Sequence, residues 1–96
     1  MVDVFHALAA PARRRILDAL MERNGQTLFE LCARLADDHQ LDLSRQAISQ
    51  HLEVLEDAGL VTTHREGRYK YHYLDTSPLR AIHDRWPVGD RKEPDQ

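Results

Sequence analysis

The stretch from Leu43 to Leu60 admits one local structure, and that structure constrains everything around it. Ser44 supplies the side-chain oxygen of a helix N-cap, and Leu43 before it and Ile48 after it are the two partners of a hydrophobic staple. An apolar stripe follows at Ile48, Leu52 and Leu55, while Arg45, Gln46, Ser49, Gln50 and Glu53 fall on the opposite side. Gly59 can take the left-handed position past the helix end, and Leu60 then packs back on Leu55, as a Schellman ending requires. A helix from Ser44 to Ala58 is therefore predicted, with an apolar side for a core and a polar side left free.

From Val61 the period changes to two. Tyr69, Tyr71 and Tyr73 alternate with Arg68, Lys70 and His72, the mark of a strand with two chemically different faces. Glu66-Gly67 reads as the turn of a hairpin, which pairs Arg65 with Arg68 and Thr63 with Lys70 on one face, and His64 with Tyr69 and Thr62 with Tyr71 on the other. In this register the tyrosine face lies on the helices and the arginine face stays in water.

Upstream, Val4 to Ala9 reads as a short helix with Val4, Phe5 and Leu8 on one side. Pro11 suits the first turn of the next helix, whose stripe is Ile16, Leu17, Leu20 and Met21, and Asn24-Gly25 stops it. Thr27 and Glu30 form a capping-box pair at the start of a further helix with Leu28, Leu31, Cys32 and Leu35 facing inward, ending at Asp37-Asp38. Past the hairpin, Ser77-Pro78 reads as an N-cap and first-turn pair opening a helix through Leu79, Ile82 and His83 to Trp86, which Pro87 ends. Residues 1–87 are expected to form one domain and residues 88–96 a charged, flexible tail. A chain of 96 residues has a thin core, so association with a second copy is expected from the start.

Composition narrows the partners. The N-terminus shows no basic region followed by a hydrophobic one, no apolar run is long enough for a membrane, and a single cysteine, Cys32, fits a reducing compartment. A cytoplasmic protein is expected. Net charge is −3, unusual for a nucleic-acid binder, but it is unevenly spread: residues 25–43 carry −3, and residues 44–72 are neutral. Within Thr62 to His72, Arg65, Arg68 and Lys70 face Glu66 alone, a basic tip on an acidic body.

Two surfaces then make a case for DNA. Arg45, Gln46, Ser49 and Gln50 carry forked donors and amides suited to base edges or phosphates, beside a helix N-terminus that favours an anion. Arg65, Arg68 and Lys70 on the hairpin reach the backbone or minor groove beside such a site, adding affinity with little sequence information. Taken singly, a polar helix face or a charged hairpin is ordinary solvated surface. Only their combination points to DNA.

The residues that carry this reading also resemble a family. The run Phe5-His6-Ala7-Leu8-Ala9-Ala10-Pro11-Ala12-Arg13-Arg14-Arg15-Ile16-Leu17 is similar to the opening segment of the ArsR-type winged-helix transcriptional regulators. Ile48-Ser49-Gln50-His51-Leu52, continuing to Ala58-Gly59-Leu60-Val61, resembles their recognition helix and its exit, and Arg65-Glu66-Gly67-Arg68 their wing tip. The resemblance spans about Val4 to Trp86. It implies a mainly α winged helix-turn-helix: a three-helix core, a small β-hairpin wing, and N- and C-terminal helices used for dimerisation. It further implies a homodimeric repressor on a palindromic operator, with Phe5, Leu8, Leu79, Ile82 and Trp86 at the dimer interface and His51 either touching phosphate or half-buried.

The chain departs from the metal-sensing members of that family. Glu30-Leu31-Cys32 resembles the start of their ligand motif, yet Arg34 stands where a second cysteine belongs, and a soft-metal site needs two or three sulfurs. Cys32 therefore reads as core, and neither a metal nor a cofactor is expected, although His6 and His83 on the two pairing helices leave a nitrogen and carboxylate site open. The acidic connection Asp37-Asp38-His39-Gln40-Leu41-Asp42 is longer than the family's compact turn and reads as a partner or ligand surface. An enzyme is disfavoured, because no glycine-rich phosphate loop occurs and Ser49 and His51 face different directions on one helix. A winged helix used only for protein interaction, and a metal-responsive repressor using histidine and carboxylate ligands, are the remaining competitors.

Overall fold

The structure is a computed structural model that describes residues 2–89. Five α-helices and one hairpin follow in the order α1 (Val4–Leu8), α2 (Pro11–Glu22), α3 (Leu28–Asp38), α4 (Arg45–Asp57), β1 (Val61–Glu66), β2 (Tyr69–Leu74), a 3-10 turn (Ser77–Leu79) and α5 (Arg80–Arg85). This is a winged helix-turn-helix. Residues 90–96 of the expected tail lie outside the described residues. Among the described residues no helix is long and apolar enough to cross a membrane.

The core forms where the apolar stripes of α2, α3 and α4 meet. Ile16, Leu20, Leu31, Leu35, Ile48, Leu52 and Leu55 are all buried, and Val4 and Ala7 of α1 close one side. Cys32 sits half-buried against this core, and burial pushes its thiol pKa up while the Arg45 guanidinium acts in the other direction. Such a thiol is a poor nucleophile and a weak ligand. Met21 departs from its expected place. It is 70% exposed, because the buried face of α2 is made by Ile16, Ala19 and Leu20, and the helical turn of about 100° per residue carries Met21 off that face.

Helix boundaries follow from capping. Thr27 and Glu30 form the complete capping box, with the Thr27 hydroxyl accepting from Glu30 N at 3.2 Å and the Glu30 carboxylate from Thr27 N at 2.9 Å. The Ser44 hydroxyl accepts from Ala47 N at 3.1 Å, and α4 ends in the Schellman pair, Leu60 N to Leu55 O at 2.9 Å and Gly59 N to Glu56 O at 3.0 Å, with Gly59 at φ +78°. Asp3 caps α1 by accepting from His6 N at 2.8 Å.

The hairpin corrects the expected register. Its turn is Gly67-Arg68, so that Glu66 opposes Tyr69, Arg65 opposes Lys70 and Thr63 opposes His72. Gly67 takes φ +63° and Arg68 keeps negative φ, the arrangement in which glycine leads a two-residue loop and the strand twist is preserved. The faces are therefore exchanged. Tyr69 is 56% exposed, whereas Val61 and His72, on the other face, are buried. What draws His72 inward is the segment after α2. Gln26 forms an isolated antiparallel bridge to it, Gln26 N to His72 O at 3.1 Å and His72 N to Gln26 O at 2.8 Å, while Asn24 Oδ1 accepts from Leu74 N at 2.8 Å.

The start of the last helix also differs. Ser77 is not its N-cap: the Ser77 backbone N–H and hydroxyl both donate to Asp75, at 2.9 and 2.7 Å, which holds the Asp75 carboxyl below its ordinary pKa. Residues 77–79 wind as a 3-10 turn, and the α-helix proper runs from Arg80 to Arg85, leaving Trp86 just past its end.

Candidate nucleic-acid interface

Helix α4 is held from one side only. Ile48, Leu52 and Leu55 are buried, and Arg45, Gln46 and Gln50 on the opposite side are exposed, with Ser49 half-buried between the two. A helix 1.5 Å per residue long and anchored in this way presents its first two turns as a rigid polar edge. Ser44 is exposed at the tip, its hydroxyl engaged in capping Ala47. Arg45, Gln46, Ser49 and Gln50 line one shallow hollow of about 580 Å³ together with Leu28 and Glu53.

The wing stands beside this edge. Ser49, Arg68 and Lys70 line a second hollow, of about 680 Å³, between α4, the start of α3 and β2. Arg65 and Arg68 are exposed and Lys70 half-buried, and none of the three has a carboxylate within ion-pair distance among the described residues. Arg65, on β1, lines neither hollow. Six of the nine expected DNA-contacting positions, Arg45, Gln46, Ser49, Gln50, Arg68 and Lys70, thus line two hollows that share Ser49, while Ser44 caps the start of the same helix, Arg65 pairs with Lys70 across the hairpin and His51 contacts Arg13 instead.

His51 is half-buried on the other flank of α4, and its Nδ1 lies 3.3 Å from Arg13 Nη1. A guanidinium can only donate, so Nδ1 accepts and the imidazole proton sits on Nε2. Arg13 also donates from Nε to Ala7 O at 2.8 Å and from Nη2 to His6 O at 3.1 Å, clipping the end of α1 to α2 and α4 at once. Burial first, and then the Arg13 charge, hold the His51 pKa below its ordinary value near 6.5. An unfolded chain then takes up the proton before the folded one does. Stability from this site is full above about pH 6.5 and is lost as pH falls through the depressed folded value. The urea midpoint is expected to drop between pH 7.5 and pH 5.5, and to drop less in His51→Gln; an unchanged pH dependence in that variant would show that the Arg13 contact has no such effect.

Sequence reasoning missed Arg13, Gln26 and His72. The Gln26 side chain is buried and donates to Ala19 O at 3.0 Å and Arg23 O at 2.6 Å, closing the carbonyl end of α2. A polar residue directly after the Asn24-Gly25 stop is the only local sign of it. Nothing local marks His72 as inward-facing, since its partner is Gln26, far away in the chain.

Of the acidic run, Asp37 and Asp38 form the end of α3, and Asp38 and His39 take part in ion pairs among the described residues. Arg34 pairs with Asp38 at 3.3 Å and Glu22 at 3.6 Å, and His39 Nε2 lies 3.2 Å from Glu22. Among the described residues no three His, Cys, Asp or Glu side chains converge as metal ligands, and His6 and His83 are both exposed.

Comparison with known proteins places the fold in a family. A family model described as a helix-turn-helix domain matches residues 8–64. The chain is 48% identical over 83 residues to the HTH-type transcriptional regulator YuzN of Bacillus subtilis, covering 86% of this chain and 90% of that one. It is 32% identical over 80 residues to the transcriptional repressor SdpR of the same organism, covering 83% and 81%. The solved structure of an ArsR-like transcriptional regulator from Rhodococcus superposes with a TM-score of 0.73 at 33% identity, over 85% of this chain and 69% of that one. These relatives are regulators of transcription, not enzymes. With the polar edge of α4 and the basic wing side by side on a fold shared with them, the chain belongs to the ArsR-type winged helix-turn-helix family of DNA-binding transcriptional regulators.

Proposed function

We propose that two copies of this chain bind a palindromic operator and repress transcription by covering a promoter. The observation that carries the reading is the one-sided anchoring of α4: three buried apolar residues fix it, and its exposed N-terminal edge adjoins a hairpin whose three bases have no partners among the described residues. Arg45, Gln46 and Gln50 face base edges in the major groove, with Ser44 and Ser49 at the adjoining phosphates. Arg65, Arg68 and Lys70 hold the flanking backbone, and the His51 Nε2 proton is available to a phosphate oxygen. Repression is supported by the likeness to SdpR.

Dimerisation is supported by the surface that α1 and α5 share. Phe5 and Trp86 meet edge to face at 6.0 Å, the Arg85 guanidinium lies over both rings, and Trp86 is 58% exposed. Leu8, Leu79 and Ile82 are half-buried against the core. A second copy would cover the aromatic pair and set two recognition helices about 34 Å apart, one turn of DNA. A negatively charged monomer then reaches useful affinity through two half-sites rather than one.

Selection of bound fragments from random duplex DNA tests the whole reading. Two inverted half-sites with centres about 10 base pairs apart are expected. Sedimentation should give a dimer at micromolar concentration, weakened at least ten-fold by Trp86→Ala with Phe5→Ala. Enrichment of a single half-site by a monomer would overturn the dimer. A promoter fusion that rises when the protein is supplied would replace repression by activation.

A further inference from the structure

We propose that the groove between α4, the start of α3 and β2 is an effector site for a planar aromatic organic cation, whose binding weakens the hold on DNA. The site rests on four features of a groove from which the DNA reading takes only Ser49, Arg68 and Lys70. The groove has a volume of about 680 Å³, within the range of small-molecule sites. Its floor is apolar, with Leu28 and Leu52, and its sides carry aromatic surface that serves no core: Phe29 is 68% exposed and Tyr69 and Tyr71 stand 6.4 Å apart on β2.

His72 is the third feature. It is only 4% exposed and lines the groove. Its Nδ1 lies 2.9 Å from the Gln26 carbonyl, which can only accept, so Nδ1 carries the proton and Nε2 presents a bare lone pair. Among the described residues nothing bonds to that Nε2. No buried polar side-chain atom is left without a partner among the described residues, so Nε2 is not sealed away from solvent, and His72 is one of the residues that line the groove. A polar ring this deeply buried at a groove wall, with one nitrogen unbonded, offers an acceptor to a ligand N–H.

Charge supplies the fourth feature. Glu53 and Glu56 are three apart on α4, hence on one face, and both line the groove with no ion pair among the described residues. Carboxylates beside a phosphate-binding surface oppose its purpose unless they answer something else. Aromatic walls with two free carboxylates fit a cation on a flat apolar body, through stacking, cation–π attraction and a charged hydrogen bond. Arg68 and Lys70 border the same groove from the wing, and their pull on an anion is the competing outcome. A molecule seated here lies between Ser49 and Lys70, wedged between the two elements that the preceding section assigns to DNA, so the coupling to DNA rests on that reading while the site itself does not.

The test separates the two. Tryptamine, tryptophol and indole-3-propionate share one ring and differ in charge. Titrated into the ¹⁵N-labelled protein without DNA, tryptamine is expected to shift the amides of Leu28, Phe29, Lys70 and His72 most. Tryptophol should bind about ten-fold more weakly and the anion more weakly still. Glu53→Gln with Glu56→Gln should erase the preference for the cation while leaving the melting curve and the remaining amide spectrum in place; Glu53→Asp alone should keep part of it. Equal binding of all three, tightest binding of the anion, or shifts elsewhere would overturn the site. With a selected duplex present, saturating tryptamine should raise the DNA Kd at least five-fold. An unchanged Kd with tryptamine bound would overturn the effector role, and a protein that binds tryptamine but no DNA would sink the DNA reading and leave the site standing.

Discussion

Replacing Arg65, Arg68 and Lys70 together with alanine is expected to flatten the salt dependence of DNA binding by about 2.7 in log–log slope per protomer, and about 5.4 for two protomers on one duplex. Each lysine or arginine on a phosphate releases close to one condensed counterion, so the slope counts contacts where affinity alone does not. The three bases qualify because, among the described residues, they stand without carboxylate partners within ion-pair distance on a hairpin whose only acidic neighbour on the strands is Glu66. In the observed register Arg65 and Lys70 are cross-strand partners, and two like charges opposite one another are unfavourable in the free protein. A phosphate between them relieves that repulsion. Relative affinities for matched and mismatched duplexes should change little, because these contacts position the protein rather than read bases. Arg45→Ala should do the reverse, lowering discrimination at one base pair by roughly 1–3 kcal/mol while shifting the slope by about one unit or less. Fluorescence anisotropy between 50 and 300 mM salt decides the matter. If the triple variant binds duplex as the parent does at every salt concentration, the winged helix is an interaction module for another protein.

How far the chain can be read before folding depends on how local each instruction is. Helix α4 was fully legible, since its cap, its stripe and its Schellman end all lie between Ser44 and Leu60 and each is satisfied within one turn. The capping box of α3 is equally local. The hairpin was legible as a hairpin but not in phase. Alternation of period two says that residues 69, 71 and 73 share a face; it does not say which face is inward. Tyrosine is the more apolar choice, yet the buried position went to His72, because Gln26, brought back by the end of α2, satisfies its backbone and its ring together. Apolar preference lost to a hydrogen bond that no window of sequence contains. Arg13 is a similar case, since its three contacts join α1 and α4 through a side chain that looks like any exposed arginine of a helix. Phe5 and Trp86 were each expected at a dimer interface through family resemblance, but their meeting within one chain was not foreseen, as nothing between the two ends of the chain encodes it locally.

Leu55→Ala is expected to cost about 3 kcal/mol of stability, near the middle of the range for a leucine truncated in a packed core. Leu55 is fully buried, and it sits where three things converge: the inward stripe of α4, the Schellman closure that receives Leu60, and the entry to β1 at Val61. Its truncation leaves a void between helices that cannot collapse without moving Leu60, and Leu60 is the residue from which the wing departs. In a domain of this size the melting temperature should fall by roughly 12–24 °C. Val54→Ala, one residue away and only half-buried, should cost about a third as much. The more informative measurement is DNA affinity at a temperature where the Leu55 variant is still folded. The exposed edge of α4 keeps Arg45, Gln46 and Gln50, so base discrimination should persist, whereas the wing, hung from Leu60, loses its fixed angle and the contribution of Arg65, Arg68 and Lys70 should shrink with it. Affinity is therefore expected to fall with a shallower salt slope and an unaltered preference among sequences. A variant that melts within 4 °C of the parent, or one that loses sequence preference before salt dependence, would show that the recognition helix and the wing are not coupled through this residue.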